Sequence, residues 1–333
     1  MKISVIGSGA IGALVAGYLA EAGADITLVA RPRDAAVITA NGLVIEGVRG
    51  QKIVPISAVE EAPAGAELII LAVKTQDITA ALAQNRKALS GVPVLSVQNG
   101  LRADELIRET VPEELIISSI VVFGATYLEP GRITHNFEGD WIIGKFFTQN
   151  DSIVTEISDI LRKAFSIYIT DGIGGMKWLK LFLNLNNCLP ALIGESMQAT
   201  FPKLQMSQIA IRLWKEALRV VDAAGIKLVS LPDFPEESLR GLAGMEIGEA
   251  SLIYANIMSG LSTEPLYGSI LQSLKRGRPS EIDYLNGEIV RLGERTDTPV
   301  PLNKRVVEMV RHVEKTGKFL SPEAVAEEFG RIV

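Results

Sequence analysis

The segment "VIGSGAIG", residues 5–12, contains three glycines that indicate the fold of the first half of the chain. Apolar residues precede its first glycine and predict a buried strand, and the apolar stretch "ALVAGYLAEAG" after it predicts a helix. Gly7, Gly9 and Gly12 therefore stand at a strand-to-helix turn, in the spacing G-x-G-x-x-G.

Such a turn at the start of a β-α-β unit is typical of a dinucleotide-binding loop. The first glycine permits the turn, the second lets a pyrophosphate approach the backbone, and the third lets the helix pack closely on the strand. The phosphates then lie at a helix N-terminus, where amides and the helix dipole favour negative charge. The cofactor-binding residues predicted here are Gly7, Ser8, Gly9, Ala10, Ile11 and Gly12. The alternative is a glycine-rich turn that binds nothing.

The segments that follow extend the strand-and-helix alternation. "DITLVAR", "AELIILAVK" and "VPVLSVQNG" are apolar strand-like segments separated by helix-like sequence. Continuous Val/Ile/Leu strands between helices predict a parallel sheet covered on both faces. "LIISSIVVFGATY", "GRITHNF" and "DWIIGKF" predict further strands, which we expect to form a mixed edge of the same sheet.

The pattern changes after "DGIGG", residues 171–175, because helical periodicity dominates from there to the end. The sequence therefore predicts an α/β Rossmann-type domain with a parallel or mixed sheet at residues 1–171. An all-α domain is predicted at residues 172–333.

The overall composition excludes several classes of protein. The net charge of −6 is spread over mixed acids and bases, so we expect no nucleic-acid partner. One cysteine and two histidines cannot form an internal disulfide or a Cys/His metal cluster, and a reducing, cytoplasmic location fits. We see no apolar stretch long enough for a membrane span. The apolar surface expected of the helical domain leaves a homodimer open.

The end of the second predicted strand indicates which dinucleotide binds. A site that prefers NAD usually has an acidic residue about 20 residues after the glycines, where it binds the ribose 2′-hydroxyl. Arg31 occupies that place here, with Arg33 close by, and arginine can pair with a 2′-phosphate. The sequence therefore favours NADP(H), unless Arg31 is only a solvated surface charge. Lys74 and Asn99 follow two further strands and should border the same cofactor cleft, although either is also compatible with an ordinary loop.

The stretch "WLKLFLNLNNCLPAL", residues 178–192, is apolar except for a few polar groups. On one continuous helix, Lys180, Asn184 and Asn187 would share a face. A buried lysine is costly unless it is paired or lines a wet cleft, so this seam predicts a functional surface. Alternatively, Lys180 extends to the surface and the asparagines cap a neighbouring element.

These motifs together resemble the ketopantoate reductase (2-dehydropantoate 2-reductase) family over nearly the whole chain. The resemblance rests on "GSGAIG", "VKT", "QNG", "GRITH" with "IIG", "WLKLFLN" and "SILQSLKRGRPSEIDYLNGEIV". It implies a Rossmann domain that binds NADPH, a helical domain that closes a cleft, and reduction of ketopantoate to pantoate between them. That reaction belongs to pantothenate and coenzyme A biosynthesis.

The resemblance also implies roles for single residues. The catalytic lysine of the family matches Lys180. The family's catalytic glutamate, which orients the ligands, matches Glu281. Glu281 would also bind the cofactor and help keep Lys180 charged. Asn99, Asn184 and Ser269 match substrate-binding positions. Glu281 could instead be a first-turn acid that favours a helix dipole.

Three positions depart from the family pattern. Cys188 stands where the family usually has a substrate-binding asparagine, so the resemblance implies that Cys188 contacts the substrate. Gln198 lies near the place of the next family asparagine. Ser273 replaces a usual aspartate. These departures leave open the alternative that the protein is a related reductase, which converts another branched or aromatic 2-oxo acid to a D-2-hydroxy acid. A non-catalytic NADP(H)-sensing protein is the more remote alternative.

Overall fold

The computed structural model describes residues 1–262 and 265–332 of the chain. The chain divides into two compact units, Met1–Gly174 and Gly175–Val333. This division lies three residues beyond the boundary that the sequence predicts. Within the described ranges, no helix combines the length and hydrophobicity that crossing a bilayer requires.

The first unit alternates strands and helices. Its strands are β1 (Lys2–Ile6), β2 (Asp25–Val29), β3 (Leu43–Gly47), β4 (Lys52–Val54), β5 (Ser57–Val59), β6 (Leu68–Leu71), β7 (Val94–Ser96), β8 (Ile116–Val121), β9 (Gly124–Glu129), β10 (Arg132–Phe137), β11 (Trp141–Gly144) and β12 (Ile167–Ile169). Its helices are α1 (Ala10–Glu21), α2 (Pro32–Asn41), α3 (Ile78–Gln84), α4 (Arg102–Ile107) and α5 (Ser152–Leu161).

Eight strands form the main sheet, in the order β12-β11-β8-β7-β6-β1-β2-β5. The strands from β8 to β5 in this order pair in parallel, and β11 pairs antiparallel with β8. Alternate side chains of β6 enter different cores: Leu68 and Ile70 pack with α1, whereas Ile69 and Leu71 pack with α3. The predicted mixed sheet with helices on both faces is therefore confirmed.

The prediction of one continuous sheet was wrong for β9 and β10. These two strands leave the main sheet and form a second sheet in the order β4-β3-β10-β9. The second sheet covers α1: a side chain at Gly17 would lie 2.4 Å from Ile45 of β3, so glycine permits this close packing. The Tyr18 hydroxyl also lies 3.0 Å from Nδ1 of His135 on β10.

The second unit is helical, as predicted. Its helices are α6 (Ile173–Leu185), which begins just before the division, α7 (Cys188–Ile193), α8 (Met197–Thr200), α9 (Leu204–Ala223), α10 (Glu236–Gly244), α11 (Ile247–Ser259), α12 (Ser269–Lys275), α13 (Asn286–Thr296), α14 (Pro301–Thr316) and α15 (Pro322–Gly330). Buried Glu216 of α9 accepts hydrogen bonds from the backbone N–H groups of Leu302 and Asn303, at 3.0 and 2.8 Å. This carboxylate caps the N-terminus of α14 and fixes the helix on α9.

Candidate active site

Two of the loop glycines are required by the packing of the first unit itself. Gly7 has a φ of +116°, which L side chains rarely adopt, and a Cβ there would lie 2.7 Å from the backbone of Ala72. A Cβ on Gly12 would come within 2.0 Å of the Gly7 carbonyl oxygen. These glycines hold the turn from β1 into α1 against the end of β6.

Gly9 differs from both, because a Cβ built on it would meet nothing within 4 Å. Its backbone is extended, with φ −69° and ψ −174°, so neither strain nor internal packing requires glycine there. The missing side chain leaves open space directly before the first turn of α1. An extended phosphate group fits such a space, since it could approach the backbone amides at the helix N-terminus.

The polar groups around this loop belong to α2. Arg31 is the N-cap residue of α2, and both Arg31 and Arg33 are exposed. No ion pair within the described residues engages either guanidinium, so both can accept an anionic ligand. Asp34, in the first turn of α2, accepts a hydrogen bond from the Ser8 hydroxyl at 3.1 Å.

The ends of β6 and β7 carry the two other predicted cofactor residues. Lys74 precedes a short 3-10 helix, Thr75–Asp77, and Asn99 is exposed after β7. Gln98, which sequence reasoning overlooked, is buried and donates to the carbonyl oxygens of Leu71 and Val73, at 2.8 and 2.9 Å. It fixes the two strand ends to each other. In the sequence, this role could have been recognised from a glutamine next to Asn99 at the end of an apolar strand.

Lys180 lies in α6 among fully buried neighbours. Leu179 and Leu181 on either side of it are at most 1% exposed, whereas Lys180 itself is half-buried. Burial lowers the pKa of its ammonium from the ordinary lysine value. Within the described residues of the second unit, no carboxylate pairs with it, so the expected contact with Glu281 is not present. Lys180 therefore loses its proton more readily than a surface lysine does.

The prediction that Asn187 shares a helical face with Lys180 was wrong. Helix α6 ends at Leu185, and the Asn187 amide donates to the Asn184 carbonyl oxygen at 3.1 Å in a tight turn. Pro190 explains the break, because a proline ring clashes with the carbonyl four residues earlier in a continuous helix. The turn brings the Asn187 side-chain amide to 3.4 Å from the Asn184 side-chain oxygen.

Cys188 does not lie where a substrate contact requires it. The side chain is fully buried, and its thiol donates to the Leu185 carbonyl oxygen at 3.0 Å. Burial also raises the pKa of the thiol, so it remains protonated. The structure thus corrects the expectation that Cys188 touches the substrate: its sulfur fills the core at the start of α7 and closes the end of α6.

Asn187 instead points toward the segment that leads into Ser269. A Cβ on Gly268 would lie 3.1 Å from Cγ of Asn187, so the Asn187 side chain packs tightly against the backbone at Gly268. Ser269 is exposed as the first residue of α12. The structure therefore brings Asn184, Asn187 and the start of α12 together within the second unit.

Gln198 holds the segment before Ser269 in place. Its side chain accepts from the Leu266 amide at 2.9 Å and donates to the Ser262 carbonyl oxygen at 3.2 Å. Sequence reasoning recorded Gln198 only as a departure from the family pattern. Its amide is engaged by this segment rather than directed at a ligand.

Glu281 is half-buried and precedes a 3-10 turn, Ile282–Tyr284, rather than an α-helix. The next α-helix, α13, begins only at Asn286, so Glu281 is not in the first turn of a helix that could benefit from its charge. A helix dipole therefore does not explain the acidic residue at this position.

Comparisons with known proteins agree with this arrangement. A family model described as Ketopantoate reductase PanE/ApbA matches residues 3–147, and its C-terminal counterpart matches residues 173–314. The 2-dehydropantoate 2-reductase of Pyrococcus horikoshii is 30% identical, over 95% of this chain and 99% of that protein. The corresponding protein of Mesorhizobium japonicum is 28% identical, over 94% and 98%.

Solved structures show the same architecture. A PanE/ApbA family ketopantoate reductase from Ralstonia eutropha has a TM-score of 0.81 and 28% identity, covering 95% of this chain and 99% of that chain. A D-mandelate dehydrogenase complex with NADH and anilino(oxo)acetate also has a TM-score of 0.81, with 95% and 99% covered, but at 20% identity it shows a shared fold alone. With both family models matched and a relative 30% identical along its length, this chain belongs to the ketopantoate reductase family and is an oxidoreductase.

Proposed function

We propose that this protein reduces 2-dehydropantoate (ketopantoate) to pantoate with NADPH, in pantothenate and coenzyme A biosynthesis. The observation that carries the proposal is Lys180, a half-buried ammonium with a lowered pKa in an apolar helix, one turn before Asn184. Relatives named 2-dehydropantoate 2-reductase support the choice of substrate.

Lys180 is the proton donor in this proposal. Its ammonium hydrogen-bonds the keto oxygen and transfers a proton to it as negative charge develops there. A pKa below the ordinary lysine value makes this transfer easier near neutral pH, where a general acid works best when its pKa is close to the ambient pH. When bound, the nicotinamide cofactor supplies the hydride that the keto carbon receives.

The neighbours of Lys180 hold the substrate. Asn184 and Ser269 bind its hydroxyl and carboxylate groups, and Asn99 contributes a further amide. Glu281 orients hydroxyl groups of the substrate or cofactor. Asn187 supports Asn184 through the side-chain contact at 3.4 Å, whereas Cys188 has only a packing role.

The first unit binds the cofactor in this proposal. The space at Gly9 accommodates the pyrophosphate, and the exposed guanidinium of Arg31 binds the 2′-phosphate of NADPH. Lys74 adds positive charge at the end of β6. The two glycines at positions 7 and 12 keep the loop in the shape that this binding needs.

A second candidate function is reduction of another branched or aromatic 2-oxo acid. Two observations favour it. Cys188 presents no amide to a ligand, and the amide of Gln198 is used by the segment before Ser269. Both residues stand where the family resemblance leads us to expect substrate-binding asparagines, so the substrate pocket has fewer amides than the family pattern implies.

A substrate panel separates the two candidates. Oxidation of NADPH by the purified protein should be fastest, in kcat/KM, with ketopantoate, by at least about tenfold over phenylglyoxylate and 2-oxoisovalerate. The missing hydroxyl of 2-oxoisovalerate leaves polar groups of the site unpaired, which explains the expected discrimination. A higher kcat/KM with phenylglyoxylate than with ketopantoate would favour the second candidate.

The pH dependence of the reduction should report the ionisation of Lys180. Since only the protonated lysine can donate, the kcat for 2-oxo acid reduction should fall as the pH rises through the lowered pKa of Lys180. The fall should therefore begin below the ordinary lysine pKa of about 10.4. A kcat that stays constant up to that pH would exclude Lys180 as the proton donor, and melting curves at each pH control for unfolding.

A further inference from the structure

An acidic residue lies beside the two arginines expected to select NADPH. Asp34 follows Arg33 directly and lies in the first turn of α2. Its Oδ2 accepts a hydrogen bond from the Ser8 hydroxyl at 3.1 Å, and Ser8 is only 8% exposed. The carboxylate is thus fixed to the glycine loop instead of extending into solvent.

Asp34 lies three residues after Arg31, close in the chain to the place that an NAD-preferring site gives to its acidic residue. It lies 22 residues after Gly12. In dinucleotide-binding folds an acid at about this spacing accepts a hydrogen bond from the ribose 2′-hydroxyl, whereas a 2′-phosphate at the same place meets charge repulsion. Within the described residues, the Oδ1 atom of Asp34 makes no hydrogen bond, so this oxygen remains available as an acceptor.

The two arginines and the aspartate have opposite effects at such a position. Arg31 and Arg33 attract a phosphate, and their exposed guanidinium groups can turn toward it. Asp34 cannot turn away without breaking the hydrogen bond that ties it to Ser8. The negative charge is therefore the fixed one, and the positive charges are the mobile ones.

We propose that Asp34 is a cofactor-selectivity residue that reduces the preference for NADPH over NADH set by Arg31 and Arg33. This inference rests on the proposed function, since it requires the glycine loop to bind a nicotinamide dinucleotide. The carboxylate accepts the 2′-hydroxyl of NADH and repels the 2′-phosphate of NADPH. The protein consequently binds both cofactors, with NADPH favoured less strongly than two arginines alone would achieve.

A purely structural role for Asp34 makes a different prediction. An acid in the first turn stabilises α2 through the helix dipole, and its bond to Ser8 supports the loop. Loss of either effect would weaken the binding of both dinucleotides to the same extent, because both contain the pyrophosphate that the loop binds. Only an effect at the 2′ position, through the charge or through the hydrogen bond to the 2′-hydroxyl, changes the ratio of the two affinities.

Calorimetric titration of the unliganded protein with NADP⁺ and NAD⁺ tests the proposal. In Asp34→Asn, which keeps the shape and an acceptor for Ser8, the ratio of the NAD⁺ Kd to the NADP⁺ Kd should rise about tenfold. The rise should come mainly from tighter NADP⁺ binding, and it should shrink at high salt because salt screens the charge. Asp34→Glu, which retains the charge, should leave the ratio near the wild-type value.

An unchanged ratio in Asp34→Asn, or equal weakening of both dinucleotides, would overturn the selectivity role while leaving the proposed function intact. If the wild-type protein binds neither NADP⁺ nor NAD⁺, the proposed function fails, and the role of Asp34 fails with it.

Discussion

Replacing Lys180 with methionine is expected to lower the kcat for 2-oxo acid reduction by about a thousandfold, because the proton donor is lost. Methionine has a similar length and no charge, so the apolar surroundings of α6 should accept it. NADPH binding should persist, since the glycine loop belongs to the other unit. Steady-state kinetics and calorimetric titration of the same preparation measure the two effects.

The same substitution should also stabilise the protein. Because burial lowers the pKa of Lys180, the unfolded chain binds this proton more tightly than the folded chain. The charged lysine therefore costs stability below its folded pKa, and the cost disappears as the pH rises to the ordinary lysine range. The Tm of Lys180→Met should exceed that of the wild type at neutral pH, with a gain that shrinks as the pH rises.

A matched control for Lys180→Met is Lys163→Met, which removes an exposed lysine just after α5. This variant should keep both the kcat and the Tm of the wild type. Near-normal turnover in Lys180→Met would contradict the assignment of the proton donor, whatever its Tm.

Replacing Gly9 with valine should abolish cofactor binding without unfolding the protein. The new side chain meets no protein atom near its Cβ, and the backbone angles suit an L-residue, so the free energy of unfolding should change by at most about 1 kcal/mol. The same side chain fills the space that the pyrophosphate needs. Thermal melting and titration with NADPH measure the two properties separately.

Gly12→Ala is the informative comparison for Gly9→Val. A Cβ there would lie 2.0 Å from the Gly7 carbonyl oxygen, so the turn must shift, and overpacking of this kind costs about 1–3 kcal/mol. Gly12→Ala should therefore lower both the Tm and the affinity for NADPH. If Gly9→Val binds NADPH as tightly as the wild type, the space at Gly9 is not the phosphate site.

The sequence predicted the main features of the first unit because they are local. The spacing of Gly7, Gly9 and Gly12, with apolar segments on either side, is sufficient to predict β1, α1 and the turn between them. The strands β3 and β4 were overlooked because they are short and carry polar residues such as Glu46 and Lys52. Without β3, which pairs with β10, the sequence offered no second sheet for β10 and its neighbour β9 to join.

The details of the candidate site depend on contacts that the periodicity of the sequence does not predict. Helix α6 ends at Leu185 because Pro190 prevents a continuous helix through the residues before it. Asn187 therefore does not lie on the same helical face as Lys180. The hydrogen bonds of Gln98 and Gln198 join residues 25 to 68 positions apart. Cys188 was interpreted by its place in the family pattern, whereas its burial is a property of the packed second unit.

The proposed reaction transfers a hydride from NADPH to the keto carbon of ketopantoate. The most direct measurement is mass spectrometry of the product formed from ketopantoate and NADPH that carries deuterium at the nicotinamide carbon that donates the hydride. We expect the wild type to form pantoate with deuterium bound to its carbinol carbon, and Lys180→Met to form almost none. Failure of the folded, NADPH-binding wild-type protein to form deuterated pantoate would contradict the proposed reduction of ketopantoate.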